Sequence, residues 1–177
     1  MIRRHLAILA IMLGALGTLA GCDDADISGI ERRSFLKAND LAKLPDVGGL
    51  LVEIHGAPWP EAMPDQVAST LRMPDGAGQA VRFRAIAPGQ WVIGKGDRLV
   101  LHFNPTGAPD HIADCRAKEE FQTKPPAKMG FTVSATYCKG PDWQIHAYLK
   151  AKAVGQEDWF GYTMVMRKLL GRLFPEK

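Results

Sequence analysis

Apolar and polar residues alternate most regularly between Phe131 and Lys150, and this pattern predicts a β-hairpin. Phe131, Val133, Ala135 and Tyr137 alternate with Thr132, Ser134 and Thr136. After a Lys139-Gly140-Pro141-Asp142 turn, Trp143, Ile145, Ala147 and Leu149 alternate with Gln144, His146, Tyr148 and Lys150. A period of two puts the two sets on opposite faces of a strand. Leu50–His55 alternates likewise, which predicts a half-buried strand with Glu53 and His55 on its solvent face. Further alternation predicts strands over residues 80–87, 90–93 and 98–103, the last two flanking a Gly94-Lys95-Gly96-Asp97 hairpin turn.

Helical spacing takes over at the C-terminus. Behind Asp158 as cap, Trp159, Tyr162, Met166, Leu169, Leu170 and Leu173 share one face and predict a long helix over 158–174. A shorter helix over 65–73 has Asp65 as its cap, Val67 and Leu71 on its apolar face, and Pro74-Asp75-Gly76 as its stop. Residues 34–44 fit a short helix or irregular chain ended by Pro45. Pro58-Trp59-Pro60 forms a loop, with Trp59 as a packed anchor. Aromatic and basic residues in 158–174 also suit a membrane-surface helix. The strands need a cover for their apolar face, which favours packing in the core. The fold class is therefore α+β: one domain, its mainly antiparallel sheet packed against a C-terminal helix and a short helix.

The N-terminus follows another logic. Arg3 and Arg4 precede an apolar run over residues 6–20, and Leu19-Ala20-Gly21-Cys22 follows at its end. Fifteen apolar residues fall short of the roughly 20 that cross a bilayer as a helix, and fit the short hydrophobic region of an export signal. The Leu-Ala-Gly-Cys order resembles the lipobox of bacterial lipoproteins, a resemblance confined to residues 1–22. It implies that residues 1–21 are a signal peptide and that Cys22 carries a diacylglycerol and an N-acyl chain. The bilayer is then the first partner, with the domain facing the periplasm. Asp23 directly after that cysteine points, by the sorting rule of enteric bacteria, to retention at the inner membrane, with the outer membrane as the other destination. Residues 22–29 are polar and read as the lipidated cysteine and a tether, reaching at most about 28 Å. The globular domain would begin at residue 30. Arg32 and Arg33 then read as a solvated surface pair or as contacts for anionic headgroups.

Removing the signal changes the charge. Without Arg3 and Arg4 the chain has 20 basic and 19 acidic residues, so its net charge falls from +3 to +1. No basic stripe of the kind that binds nucleic acid remains. The remaining 156 residues can build a core without a metal or disulfide. With Cys22 committed to lipid by the resemblance, Cys115 and Cys138 are two thiols in a compartment that permits disulfides. Pairing them would stabilise the fold by about 3.4 kcal/mol in the chain-entropy model. It would also draw residues 104–128 over the end or outer face of the hairpin. The rival reading makes His111 and Cys115 metal ligands, joined by Asp110, Asp114 or His102, and requires a free thiolate.

Candidate chemistry is sparse. The chain contains no G-x-S-x-G, H-E-x-x-H, Walker or Cys-x-x-Cys pattern. Glu53 and His55 are the best pair, a base and its orienting carboxylate on one strand face, while His102 and His146 read as exposed strand histidines. The sequence thus points to a membrane-anchored periplasmic lipoprotein that serves as a non-enzymatic binding or assembly component of the envelope. Its partner would be an envelope protein, and no cofactor is expected beyond the lipid on Cys22. The alternative is a small periplasmic hydrolase or metal-dependent enzyme that uses Glu53 and His55 or the His111 and Cys115 region.

Overall fold

The alternating stretches assemble into one six-stranded sheet. Its order is β1 (Ala25–Arg32), β6 (Asp142–Gly155), β5 (Met129–Lys139), β4 (Asp97–Phe103), β2 (Leu50–His55) and β3 (Phe83–Ile86). Four helices complete the fold: α1 (Ala38–Leu41), α2 (Pro64–Ser69), α3 (His111–Arg116) and α4 (Trp159–Leu173). The computed structural model describes residues 25–41, 49–74, 81–90 and 96–176. The signal segment, Cys22, Asp23, Asp24, Pro45, the Asp75-Gly76 stop and residues 91–95 lie outside the described residues. The fold is α+β, as the sequence predicts. The β1–β6, β6–β5 and β5–β4 pairs are antiparallel, whereas β4–β2 and β2–β3 are parallel.

The parallel half corrects one expected hairpin. β4 is flanked by β2 and β5, so neither of its edges is open to a strand at 90–93. The β5–β6 hairpin is present and longer than its alternating core, turning through Gly140 and Pro141 between Lys139 and Asp142. β1 is a second correction, because Ala25–Gly29 belong to an edge strand paired with β6 and not to a tether. Its apolar residues hide the period. A register shift between Ser28 and Glu31, with Gly29 at φ +60°, places Ile27 and Ile30 against the core despite their spacing of three.

One face of the sheet carries the hydrophobic core. Val52 and Ile54, Leu99 and Leu101, Val133 and Ala135, and Ile145 and Ala147 all point there and are buried. α4 covers them with Tyr162, Val165, Met166, Leu169, Leu170 and Leu173, its first turn capped by Asp158, which accepts from Gly161 N at 2.8 Å. Core packing is therefore the use of this stripe. Trp59 is 2% exposed and meets Trp159 and Tyr162 edge-on at 4.6 and 5.9 Å between ring centroids, which makes it the packed anchor expected. α2 begins one residue earlier than predicted, with Pro64 in its first turn and Met63, not Asp65, at the cap. It ends early at Ser69 because the Thr70 hydroxyl donates to the Gln66 and Val67 carbonyls at 2.8 and 3.0 Å.

Candidate functional site

The opposite face of the sheet is polar and almost equally buried. Glu53 and His55 from β2, Arg98 from β4, Ser134 and Thr136 from β5 and His146 from β6 are each at most 4% exposed. They share the parity expected of a solvent face, but water does not reach it. Residues 104–124 run across this face, with α3 as their ordered centre, and Cys115 is joined to Cys138 of β5 across a Cα separation of 5.5 Å. The disulfide and the draped loop are as the cysteine count and strand parity predict. Asp110 caps α3 by accepting from Ile112 and Ala113 N at 3.0 Å each.

Arg98 organises one half of this layer. Its Nε donates to Glu53 Oε2 at 2.7 Å, its Nη1 to the Gly140 carbonyl at 2.8 Å and its Nη2 to the Cys115 carbonyl at 2.8 Å. Burial pulls the guanidinium's pKa down, and the hydrogen bond and charge of Glu53 oppose that pull. Glu53 Oε1 also accepts from Gly89 N at 3.2 Å. His55 Nδ1 accepts from Phe121 N at 3.1 Å, which leaves the proton of the neutral ring on Nε2, 3.2 Å from Glu53 Oε1. That contact is electrostatic and lacks hydrogen-bond alignment. Glu53 and His55 are thus adjacent, as expected, but both are fully buried and Glu53 is committed to Arg98. A cleft of about 260 Å³ at the end of β2 is lined by Ile54, Gly56, Asp65 and Glu120 and by neither member of the pair. A base without access to substrate does not match the catalytic reading.

Asp114 organises the other half. Its Oδ2 accepts from Thr136 Oγ1 at 2.6 Å and from Ser134 Oγ at 3.0 Å. Having donated its only proton to the carboxylate, the Thr136 hydroxyl accepts from His146 Nδ1 at 3.0 Å. This direction is the reverse of a nucleophile handing its proton to a base, so the chain holds structure without activating Thr136. Burial lowers the His146 pKa; the Asp114 charge raises it, His111 lowers it and Glu31 raises it. His102 Nδ1 lies 3.8 Å from Asp114 Oδ1, and its ring stacks on Phe121 at 4.9 Å. His102 and His146 are therefore covered residues, contrary to their expected exposure. His111 opens α3 and contacts the rings of Trp143 and His146 at 4.2 and 5.1 Å. The bridge to Cys138 leaves Cys115 without the thiolate that a metal site with His111 requires. Among the described residues no cluster of three ligating side chains has the geometry of a metal site.

The alternation fails once more at the hairpin's end. Tyr137 pairs with Ile145 and Cys138 with Trp143, so Gln144 is the extra residue of a bulge. Trp143 turns onto the polar face, where it packs with Val100, Cys115 and Cys138, and the Arg33 guanidinium sits 4.3 Å from its ring centroid. Arg98, Asp114, Ser134 and Thr136 carry the layer; the sequence offers Asp114 only as an alternative metal ligand and gives the other three no role in a site. The signal that would have found them is Cys138, whose parity with Ser134 and Thr136 puts the disulfide-bound helix directly over them. The chain matches no family model, no curated protein and no solved structure, so these residues are read from their own geometry.

Two measurements check this layer. Replacing Glu53 with Gln removes the buried counter-charge of Arg98 and is expected to lower the unfolding free energy by about 3 kcal/mol, whereas the exposed control Glu61→Gln changes it by under about 0.5 kcal/mol. Equal urea midpoints for the two variants would remove Arg98 as the organiser. The second measurement is stability against pH. Since the folded pKa of His146 lies below its ordinary value of 6.5, the unfolded chain binds the proton more tightly. Its contribution is present above about pH 6.5 and is lost as pH falls toward the lower folded value. A urea series from about pH 7.5 to 5 should therefore show a loss of stability that His146→Asn flattens. An unchanged slope in the variant would contradict it.

Proposed function

We propose that this chain is a membrane-anchored periplasmic lipoprotein whose domain acts as a non-enzymatic binding or assembly component of the bacterial envelope. The observation that carries the reading is the Cys115–Cys138 bridge over the polar layer. A buried disulfide suits an oxidising compartment outside the cytosol, the destination that the signal and Cys22 imply. The same bridge holds α3, with its Asp114, over Ser134, Thr136 and His146, while Gly89 and Phe121 close on Glu53 and His55, the groups from which an active site would have to be built. A domain closed in this way offers a partner its outer surface.

With lipid on Cys22, only Asp23 and Asp24 separate the anchor from the first strand at Ala25. That shortens the tether from the expected reach to about 11 Å. The domain then works against the bilayer surface and does not sample the width of the periplasm. Replacing Cys22 with Ser is expected to move the chain from the membrane to the soluble periplasmic fraction and to abolish incorporation of labelled palmitate. A Cys22→Ser chain that still sediments with membranes would contradict the anchor.

A further inference from the structure

Resting on the lipid anchor at Cys22, we propose that the cleft lined by Lys124, Lys150 and Lys152 is a binding surface for anionic phospholipid headgroups and sets how the domain stands on the bilayer. The cleft measures about 490 Å³ and lies where β5 begins and β6 ends, beneath the segment that follows β4. All three lysines are exposed, and among the described residues none of them forms an ion pair. Their cations are therefore available to a ligand. Tyr148 and Met129 add apolar wall beside them, with Met129 59% exposed. A surface with ammonium groups around an apolar floor matches the phosphate and upper acyl region of a lipid.

The position of the first strand commits the cleft to that occupant. Ala25 pairs with Ala151, which lies between Lys150 and Lys152 in β6. Adjacent strands are about 4.8 Å apart, and the three residues from Cys22 to Ala25 span at most about 11 Å. The acyl chains of Cys22 would therefore enter the bilayer beside these lysines. Arg32 and Arg33, the first basic pair after Cys22 in sequence, stand at the other end of β1 opposite Ile145 and the hairpin turn. Arg32 donates to the Arg172 carbonyl and Arg33 is held over Trp143, so this pair is engaged in the fold. Asp26 faces Lys150 across the β1–β6 pair, and Asp23 and Asp24 precede it. The Asp26 carboxylate is on the first strand and not among the residues that line the cleft.

The test uses the full-length lipidated chain in vesicles of phosphatidylcholine alone or of phosphatidylcholine with phosphatidylglycerol. Flotation reports the anchor, and lysine acetylation read by mass spectrometry reports the cleft. The proposal expects flotation with both vesicles and acetylation of Lys124, Lys150 and Lys152 slowed about threefold or more by phosphatidylglycerol, an effect lost at about 1 M salt, where charges are screened within about 3 Å. Lys139, at the far hairpin turn, should react equally in both. Flotation with equal reactivity of the three lysines in both vesicles overturns the cleft and leaves the anchor standing. Failure to float with either vesicle overturns the anchor, and the inference with it.

Discussion

A guanidinium that is 1% exposed must find acceptors inside the protein, and Arg98 finds them in three parts of the chain that are far apart in sequence. Glu53 supplies the counter-charge from β2, Gly140 a carbonyl from the hairpin turn and Cys115 a carbonyl from α3. The bond to Glu53 crosses a parallel pair of strands, β2 and β4, and the bond to Cys115 fixes the cover above them. Without Glu53 the cost of burying the cation has no electrostatic offset. The second face of the sheet is thus a polar layer whose groups answer one another, closed from above by a helix and held by a disulfide.

That layer changes what the histidines mean. On a solvent face, Glu53 and His55 would be a carboxylate and a base with room for a substrate. Beneath Gly89 and Phe121 they are two members of a network in which Gly89 and Arg98 occupy the Glu53 oxygens and Phe121 occupies His55 Nδ1, leaving His55 Nε2 against the Glu53 carboxylate. Ser134, Thr136 and His146 are wired toward Asp114 in the same sense. Buried hydrogen bonds of this kind hold the chain in one arrangement over the sheet. The chemistry available to a partner is then displaced to the rim, where the lysine cleft lies beside the chain's first strand.

Local pattern made the β5–β6 hairpin and α4 legible, because each writes its own period over many residues: two for Phe131 to Tyr137, and about 3.6 for Tyr162 to Leu173. The disulfide and the loop it draws over the sheet were legible for a different reason, the count and parity of the cysteines. β1 was hidden because the bulge at Gly29 breaks the spacing of Ile27 and Ile30. Alternation in Leu50–His55 gave the two faces correctly but not what covers the second, since a parallel strand inside a sheet is buried on both sides. Trp143 misled in the same manner, as one extra residue at Gln144 turned it to the other face. Arg98 escaped notice, and Asp114 read only as a metal ligand, because each gains its meaning from residues brought to it by the fold.

The account stands on the polar face being closed, and histidine reactivity measures this most directly. Carbethoxylation of the disulfide-intact chain, read by mass spectrometry, should label His111, whose side chain is 21% exposed at the edge of α3. His55 and His146, at 0% and 4% exposure, should stay unlabelled until Cys115–Cys138 is reduced and the cover is loosened. Labelling of His55 at the rate of His111 in the oxidised chain would contradict a sealed layer and reopen Glu53 and His55 as a site.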